Sequence, residues 1–221
     1  MKSRPLSNWD KKPAIFMHDR LLIDGQQVMM TWETPMMHRM ARMLHDQVGG
    51  DLLEVGFGMS ISATELQRLG VKSHTIIEPH PEVFERAISW KNNYPKASIT
   101  LINDYWQNVD EKLPQFDGIF FDPFSPTRED AECEHFHFFK IASESLLKHG
   151  GAMTFYNMNP RLELSYQDEL FKFFSKVDLE RVNIFPPLDC DYASVDMVPL
   201  SPEHSPSIYD YLYTLCILAV K

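Results

Sequence analysis

The sequence predicts an α/β fold, a mostly parallel sheet with helices on both faces. Three features point there. From Asp51 to Asn157, short apolar runs alternate with helical patterns. The runs are apolar along most of their length, as strands buried on both faces must be. The last stretch carries two strand patterns with no helix between them, which suits an antiparallel pair closing the sheet.

Each element has its own signal. Residues 1–30 are mixed and polar, with Trp9, Phe16 and Met17 scattered among charges, and read as an extension laid on the domain of residues 31–221. Thr34 is placed to cap a helix with Pro35 at its first position, and MMHRMARMLHDQV carries that helix to Gly49-Gly50. DLLEVG (51–56) is a strand and SISATELQRLG (60–70) a helix ended by glycine. HTIIE (74–78), SITLIN (98–103), FDGIFFD (116–122) and AMTFYN (152–157) are strands. EVFERAISWKNNY (82–94) is a helix, and another runs on through HFFKIASESLLKHGG (137–151). After a helix near Leu162–Ser175, LERVNIF (179–185) and DYLYTLCILAV (210–220) are strands flanking a Pro-rich loop.

Composition narrows the classes. A chain that is 44% hydrophobic and 24% charged can form a sizeable core. A net charge of −10 argues against a nucleic-acid binder, which needs a basic stripe. Cys133, Cys190 and Cys216 are widely spaced, with no Cys/His cluster to suggest a metal or a disulfide framework. No signal peptide is apparent, and the late apolar run Leu212–Val220 falls well short of a membrane span. The expectation is a cytoplasmic protein, monomer or homodimer, away from membranes.

Open parallel sheets bind ligands beyond the carboxyl ends of their strands. After the first strand comes Glu54-Val55-Gly56-Phe57-Gly58-Met59-Ser60, whose glycines permit a tight turn and close approach to a ligand. The second strand ends in Glu78, an acid suited to two ribose hydroxyls. The bland alternative is a simple turn and a solvated strand end. Ser60 stands where a dinucleotide site would have a third glycine, and Glu54 suits a cationic amine better than a diphosphate. S-adenosylmethionine has that amine and no phosphate, and the length leaves no room for a second, substrate domain. An NAD-dependent oxidoreductase and a non-catalytic adaptor are the other classes weighed. Asp104 is placed to accept from adenine or to cap a helix, with Trp106 near the ring. Asp122-Pro123 either holds a carboxylate over the transferring methyl or forms a turn.

WETPMM (32–37), LLEVGFGMSISATELQ, HTIIEPHPEVFERAISW, LPQFDGIFFD and LLKHGGAMTFYN together resemble guanidinoacetate N-methyltransferase and its arginine and guanidino N-methyltransferase relatives, over about residues 28–160. The resemblance implies a seven-stranded class I methyltransferase fold with an antiparallel last strand, and residues 1–30 as a lid. It implies that Glu33 and Asp122 grip a guanidinium, Glu33 as clamp and Asp122 as general base. Trp9, Met37, Glu54, Gly56, Gly58, Glu78, Asp104 and Trp106 would contact S-adenosylmethionine, and Met158 and Asn159 the substrate. Met36, Met37, Met40 and Met43 read chiefly as packing, with one or two of them, Met37 first, against the donor's methionine chain; Trp32, His135 and His137 also read as packing. The chain departs from the creatine-forming pattern at Pro123-Phe124-Ser125-Pro126, at Asn157-Met158-Asn159, and in a longer tail around Val198–Ile208. Guanidinoacetate and free arginine both stay open, with Asp189, Asp191 or Asp196 as candidate partners for an α-amino group.

Overall fold

The computed structural model describes residues 9–109, 112–125, 128–157, 162–183 and 213–221. Met158, Asn159 and the tail acids Asp189, Asp191 and Asp196 lie outside them. In chain order the elements are β1 (Ala14–Phe16), β2 (Arg20–Ile23), β3 (Gln26–Met30), α1 (Thr34–Val48), β4 (Asp51–Val55), α2 (Ile61–Leu69), β5 (Ser73–Ile77) and α3 (Pro81–Lys91). Then follow β6 (Ile99–Ile102), α4 (Trp106–Val109), β7 (Phe116–Phe121), α5 (Arg128–Ile141), β8 (Leu147–Phe155), α6 (Leu164–Phe173), β9 (Lys176–Asn183) and β10 (Tyr213–Val220).

The main sheet has seven strands in the order β6-β5-β4-β7-β8-β10-β9. β6, β5, β4, β7 and β8 are parallel, and β10 runs antiparallel between β8 and β9. This is the expected α/β class, with its antiparallel closing strand. Alternation along each strand divides the core between the two faces. Leu52 and Phe120 face the side covered by α1, α2 and α3, while Leu53, Val55, Ile119 and Phe121 face α4, α5 and α6. Met36, Met37, Met40 and Met43 of α1 are buried on the first side, and their flexible side chains suit that irregular packing.

Two segments differ from expectation. Residues 14–30, where the sequence pattern predicts no strand within the extension, form their own antiparallel sheet in the order β1-β2-β3. Asp24 and Gly25 turn β2 into β3 with φ of 53° and 77°, and Leu21, Ile23 and Met29 enter the same core as α1. Farther on, α5 stops at Ile141 and a π-helical turn spans Ala142–Leu146. The segment Leu147–Gly151, expected to be helical, instead starts β8, where Lys148 pairs with Asp51 and Asp117. At α1, Thr34 is the first helical residue rather than the cap, preceded by a 3-10 turn over Thr31–Glu33.

Candidate active site

The chain runs from β4 outward to β5 and β6, then returns to place β7 on the other side of β4. The switch in strand order therefore lies between β4 and β7, where a cleft opens beyond the strand ends. Here the backbones cross closely. Gly56 donates its N–H to Ile77 O at 2.9 Å, and Asp122 donates its own to Val55 O at 3.0 Å. Gly56 has φ of 89°, and a Cβ there would meet Asp122 O at 2.3 Å. Gly58 has φ of 51°, and a Cβ there would strike Met29 Sδ at 2.7 Å. Glycine is required at both positions by conformation and by space.

A cavity of about 230 Å³ lies over this crossing. Its walls include Gly56, Gly58, Glu78, Trp106, Asp122, Phe124 and Glu134, with Trp9, Leu21, Val28 and Met29 from the N-terminal segment. Trp9 stacks on Phe124 with ring centroids 5.4 Å apart and meets His80 edge-on at 5.3 Å. With its proton on Nε2, His80 donates to Lys12 O at 2.8 Å and fastens that segment to the start of α3. Among the described lining residues, Glu78, Asp122, Asp130 and Glu134 are acidic, and none is Lys, Arg or His. Such a wall favours a cationic ligand and disfavours a diphosphate.

The acids are held in different ways. Glu78 is buried and accepts from Phe57 N at 3.0 Å and His80 N at 2.8 Å. Burial outweighs those bonds and pushes its carboxyl up to about 7. The Gly58 N–H is a third donor, which leaves one carboxylate lone pair for a further one. Glu33 is buried too, and accepts from Met30 N at 2.8 Å. Burial raises it to about 7 against that bond and one from Tyr156. Asp122 stands well above the usual carboxylate range because of burial first, then repulsion from Glu33 and Glu54. Asp122 therefore feels the charge of Glu33, and of the two only Asp122 is on the cavity wall.

Three expected ligand contacts are placed elsewhere. Glu54 is fully buried on the α2 side of β4, where it accepts from Ser62 Oγ and lies 2.8 Å from His74 Nε2. The reason is alternation: Glu54 shares its strand face with Leu52, whereas Val55 lines the cavity. Met37 is packed in the core, and Met29 puts a sulfur at the cavity instead. Asp104 accepts from Tyr105 N at 2.8 Å and Asn108 Nδ2 at 2.6 Å, holding the start of α4 rather than facing the cavity. His135 sits among Phe121, Phe139 and Phe155 and bonds Tyr166 Oη at 2.9 Å. Burial lowers it to about 3, so it packs as a neutral ring. Sequence reasoning missed Met29 and Glu134. Among the described residues no group of His, Cys, Asp and Glu could hold a metal ion, and no helix is long and apolar enough to cross a membrane.

Comparison with known proteins agrees with this arrangement. The family model for guanidinoacetate N-methyltransferase matches residues 5–183. A protein arginine N-methyltransferase 2 of Aspergillus oryzae is 32% identical over 170 residues, covering 74% of this chain and 40% of the relative. One from Candida glabrata is 30% identical over 201 residues, covering 85% of this chain and 45% of the relative. The chain therefore spans less than half the length of these curated relatives. Among solved structures, spermidine synthase from Thermotoga maritima shares the fold with a TM-score of 0.59 at 18% identity, covering 91% of this chain and 65% of that one. A precorrin-6y C5,15-methyltransferase from Geobacter metallireducens does so at 0.55 and 14%, covering 84% and 88%.

Proposed function

The chain belongs to the guanidinoacetate N-methyltransferase family, and from that premise we propose that it methylates a nitrogen of a small guanidino compound, using S-adenosylmethionine. The observation that carries this is the acid-lined cavity with Asp122 on its wall, together with the buried carboxylate of Glu33, whose charge acts on Asp122. Guanidinoacetate, giving creatine, is the first acceptor. A second reading, an arginine guanidino group, is supported by relatives named protein arginine N-methyltransferase 2.

The residues present fit the methyl donor. Gly56 and Gly58 let the end of β4 pass tightly against Asp122 and Met29 at the cavity wall, and the remaining lone pair of Glu78 suits a ribose hydroxyl. The donor supplies an activated methyl on a sulfonium and leaves as a neutral thioether. Trp106 lines the wall after β6, where the adenine would lie, and Trp9 with Phe124 covers the cavity from the N-terminal side. This cover excludes water and holds the reactants close.

The acceptor's guanidinium is planar and, as a free cation, a weak nucleophile. Glu33 and Asp122 orient it through charge-assisted hydrogen bonds. As nitrogen bonds to the methyl carbon, the carbon–sulfur bond breaks and its electron pair stays on sulfur. The proton lost from nitrogen goes to an Asp122 carboxylate oxygen. A carboxyl held above its ordinary value is a better base for that proton than an exposed aspartate.

A pH dependence follows from the same groups. In the free chain Glu33 holds a proton up to about pH 7, and Asp122 is raised as well. A guanidinium binds the ionised pair, so those protons leave on binding. Acceptor affinity is expected to rise about tenfold or more between about pH 6 and pH 8, with calorimetry in buffers of different ionisation enthalpy reading the released protons. A flat affinity with no proton release would contradict the clamp. Labelled methyl from S-adenosylmethionine is expected in guanidinoacetate and not in glycine, which lacks the guanidino group. Equal labelling of both would refute guanidinium recognition.

A further inference from the structure

Glu134 of α5 is an acid of the cavity wall that the proposed reaction leaves without a role. Its carboxylate gathers three donors from two elements. Oε1 accepts from Trp106 Nε1 at 2.8 Å and from Gln107 Nε2 at 3.2 Å, both on α4. Oε2 accepts from Ser125 Oγ at 2.8 Å, on the loop that leaves β7 through Asp122. Burial raises the Glu134 carboxyl against the pull of these donors. Among the described residues it has no ion-pair partner, so the three hydrogen bonds alone offset its desolvation.

The topology gives these contacts their consequence. α4 follows β6 and the Ser125 loop follows β7, and β5 and β4 lie between those two strands. No sheet ladder joins the loops beyond them. Trp106 meets Phe121 edge-on at 6.0 Å beneath the cavity, but at its wall the carboxylate of Glu134 spans the gap.

We propose that Glu134 is a positioning residue that ties the Trp106 wall, where the donor's adenine would lie, to the loop carrying Asp122. One side chain then sets both the donor's seat and the alignment of the general base. The inference rests on the methyl-transfer reading above, and its test separates the two.

Glu134→Gln keeps the shape but turns an NH₂ group toward donors on one side of the clasp. It is expected to weaken S-adenosylmethionine binding about tenfold and to lower kcat about tenfold at saturating donor and acceptor. Ser125→Ala cuts only the loop arm. It should lower kcat several-fold while donor affinity stays within about twofold, and adding it to Glu134→Gln should cost little more. Hydrogen exchange on the free chain gives a readout that needs no ligand. In Glu134→Gln the amides of 106–109 and of 124–125 should exchange faster together, with β4 and β5 unchanged. Donor affinity and kcat within about twofold of wild type, or loosening of one segment alone, would overturn the proposal. If Glu134→Gln fails to fold, Ser125→Ala decides: an unchanged kcat would overturn it. Joint loosening in a chain that binds no donor would refute methyl transfer and leave the tether standing.

Discussion

Glu33→Gln is expected to lower kcat/KM for methyl transfer roughly 100-fold while leaving affinity for S-adenosylmethionine within about twofold. Glutamine keeps a carbonyl oxygen for Met30 N and nearly the same volume, so the turn before α1 has no reason to unfold. What it loses is a charge aimed at a cation. Removing one charged partner from a buried hydrogen-bonded pair costs about 3 kcal/mol, or roughly 100-fold in kcat/KM. Asp122→Asn should act differently, because a base is missed in the rate. Its kcat is expected to fall by about 10²–10⁴-fold, with a smaller change in acceptor KM. Steady-state kinetics with varied acceptor and direct donor titration separate the two residues. Equal kcat/KM in Glu33→Gln would remove the clamp, and an unchanged kcat in Asp122→Asn would remove the base.

Gly56→Ala should produce the largest structural loss of any single methyl addition at the site. The added Cβ would lie 2.3 Å from Asp122 O and 3.0 Å from Asp122 C, both backbone atoms pinned by the β4–β7 ladder. The clash cannot be relieved by a side-chain rotation. With φ of 89°, alanine would also be strained in itself. Left-handed strain and overpacking together come to about 3–5 kcal/mol, a fall in Tm of about 10 °C for a chain of this size. Donor affinity should fall with it, since the same crossing forms the cradle. Gly25→Ala is the control, because its φ of 77° is strained but no atom lies within 4 Å. It should cost about 1 kcal/mol and spare donor binding. Similar losses in both variants would mean the Gly56 crossing has no special tightness.

The central fold was readable from sequence because its strands are largely apolar and its first two helices end at glycines. Gly56 and Glu78 could be placed on one sheet edge by spacing alone. Glu33 and Asp122, far apart in the chain, entered as a pair through the resemblance, and in the structure the charge of Glu33 helps to raise Asp122. The misses have local causes. β1, β2 and β3 are three to five residues long, too short for alternation to stand out, although Asp24-Gly25 marked their hairpin. Glu54, an acid at the end of the first strand, suits a cationic amine by position in the chain, yet the period of two puts it on the face of Leu52, toward Ser62 and His74. Met29 and Met37 stand eight positions apart on either side of Trp32-Glu33, and residue type alone gives no hint of which one reaches the cleft. Glu134 stands in a run rich in acids, and nothing in the sequence singles it out. Only its three donors, drawn from α4 and the Ser125 loop, distinguish it.

The central claim is that a guanidinium held by Glu33 and Asp122 receives the methyl group. The most direct measurement is mass spectrometry of the products after the full chain is incubated with S-adenosylmethionine and, separately, guanidinoacetate, L-arginine or an arginine-containing peptide. The account predicts an acceptor one methyl group heavier, with fragmentation placing the methyl on a guanidino nitrogen, and guanidinoacetate as the best of the three. Donor binding with no methylated guanidino product from any of them would contradict it.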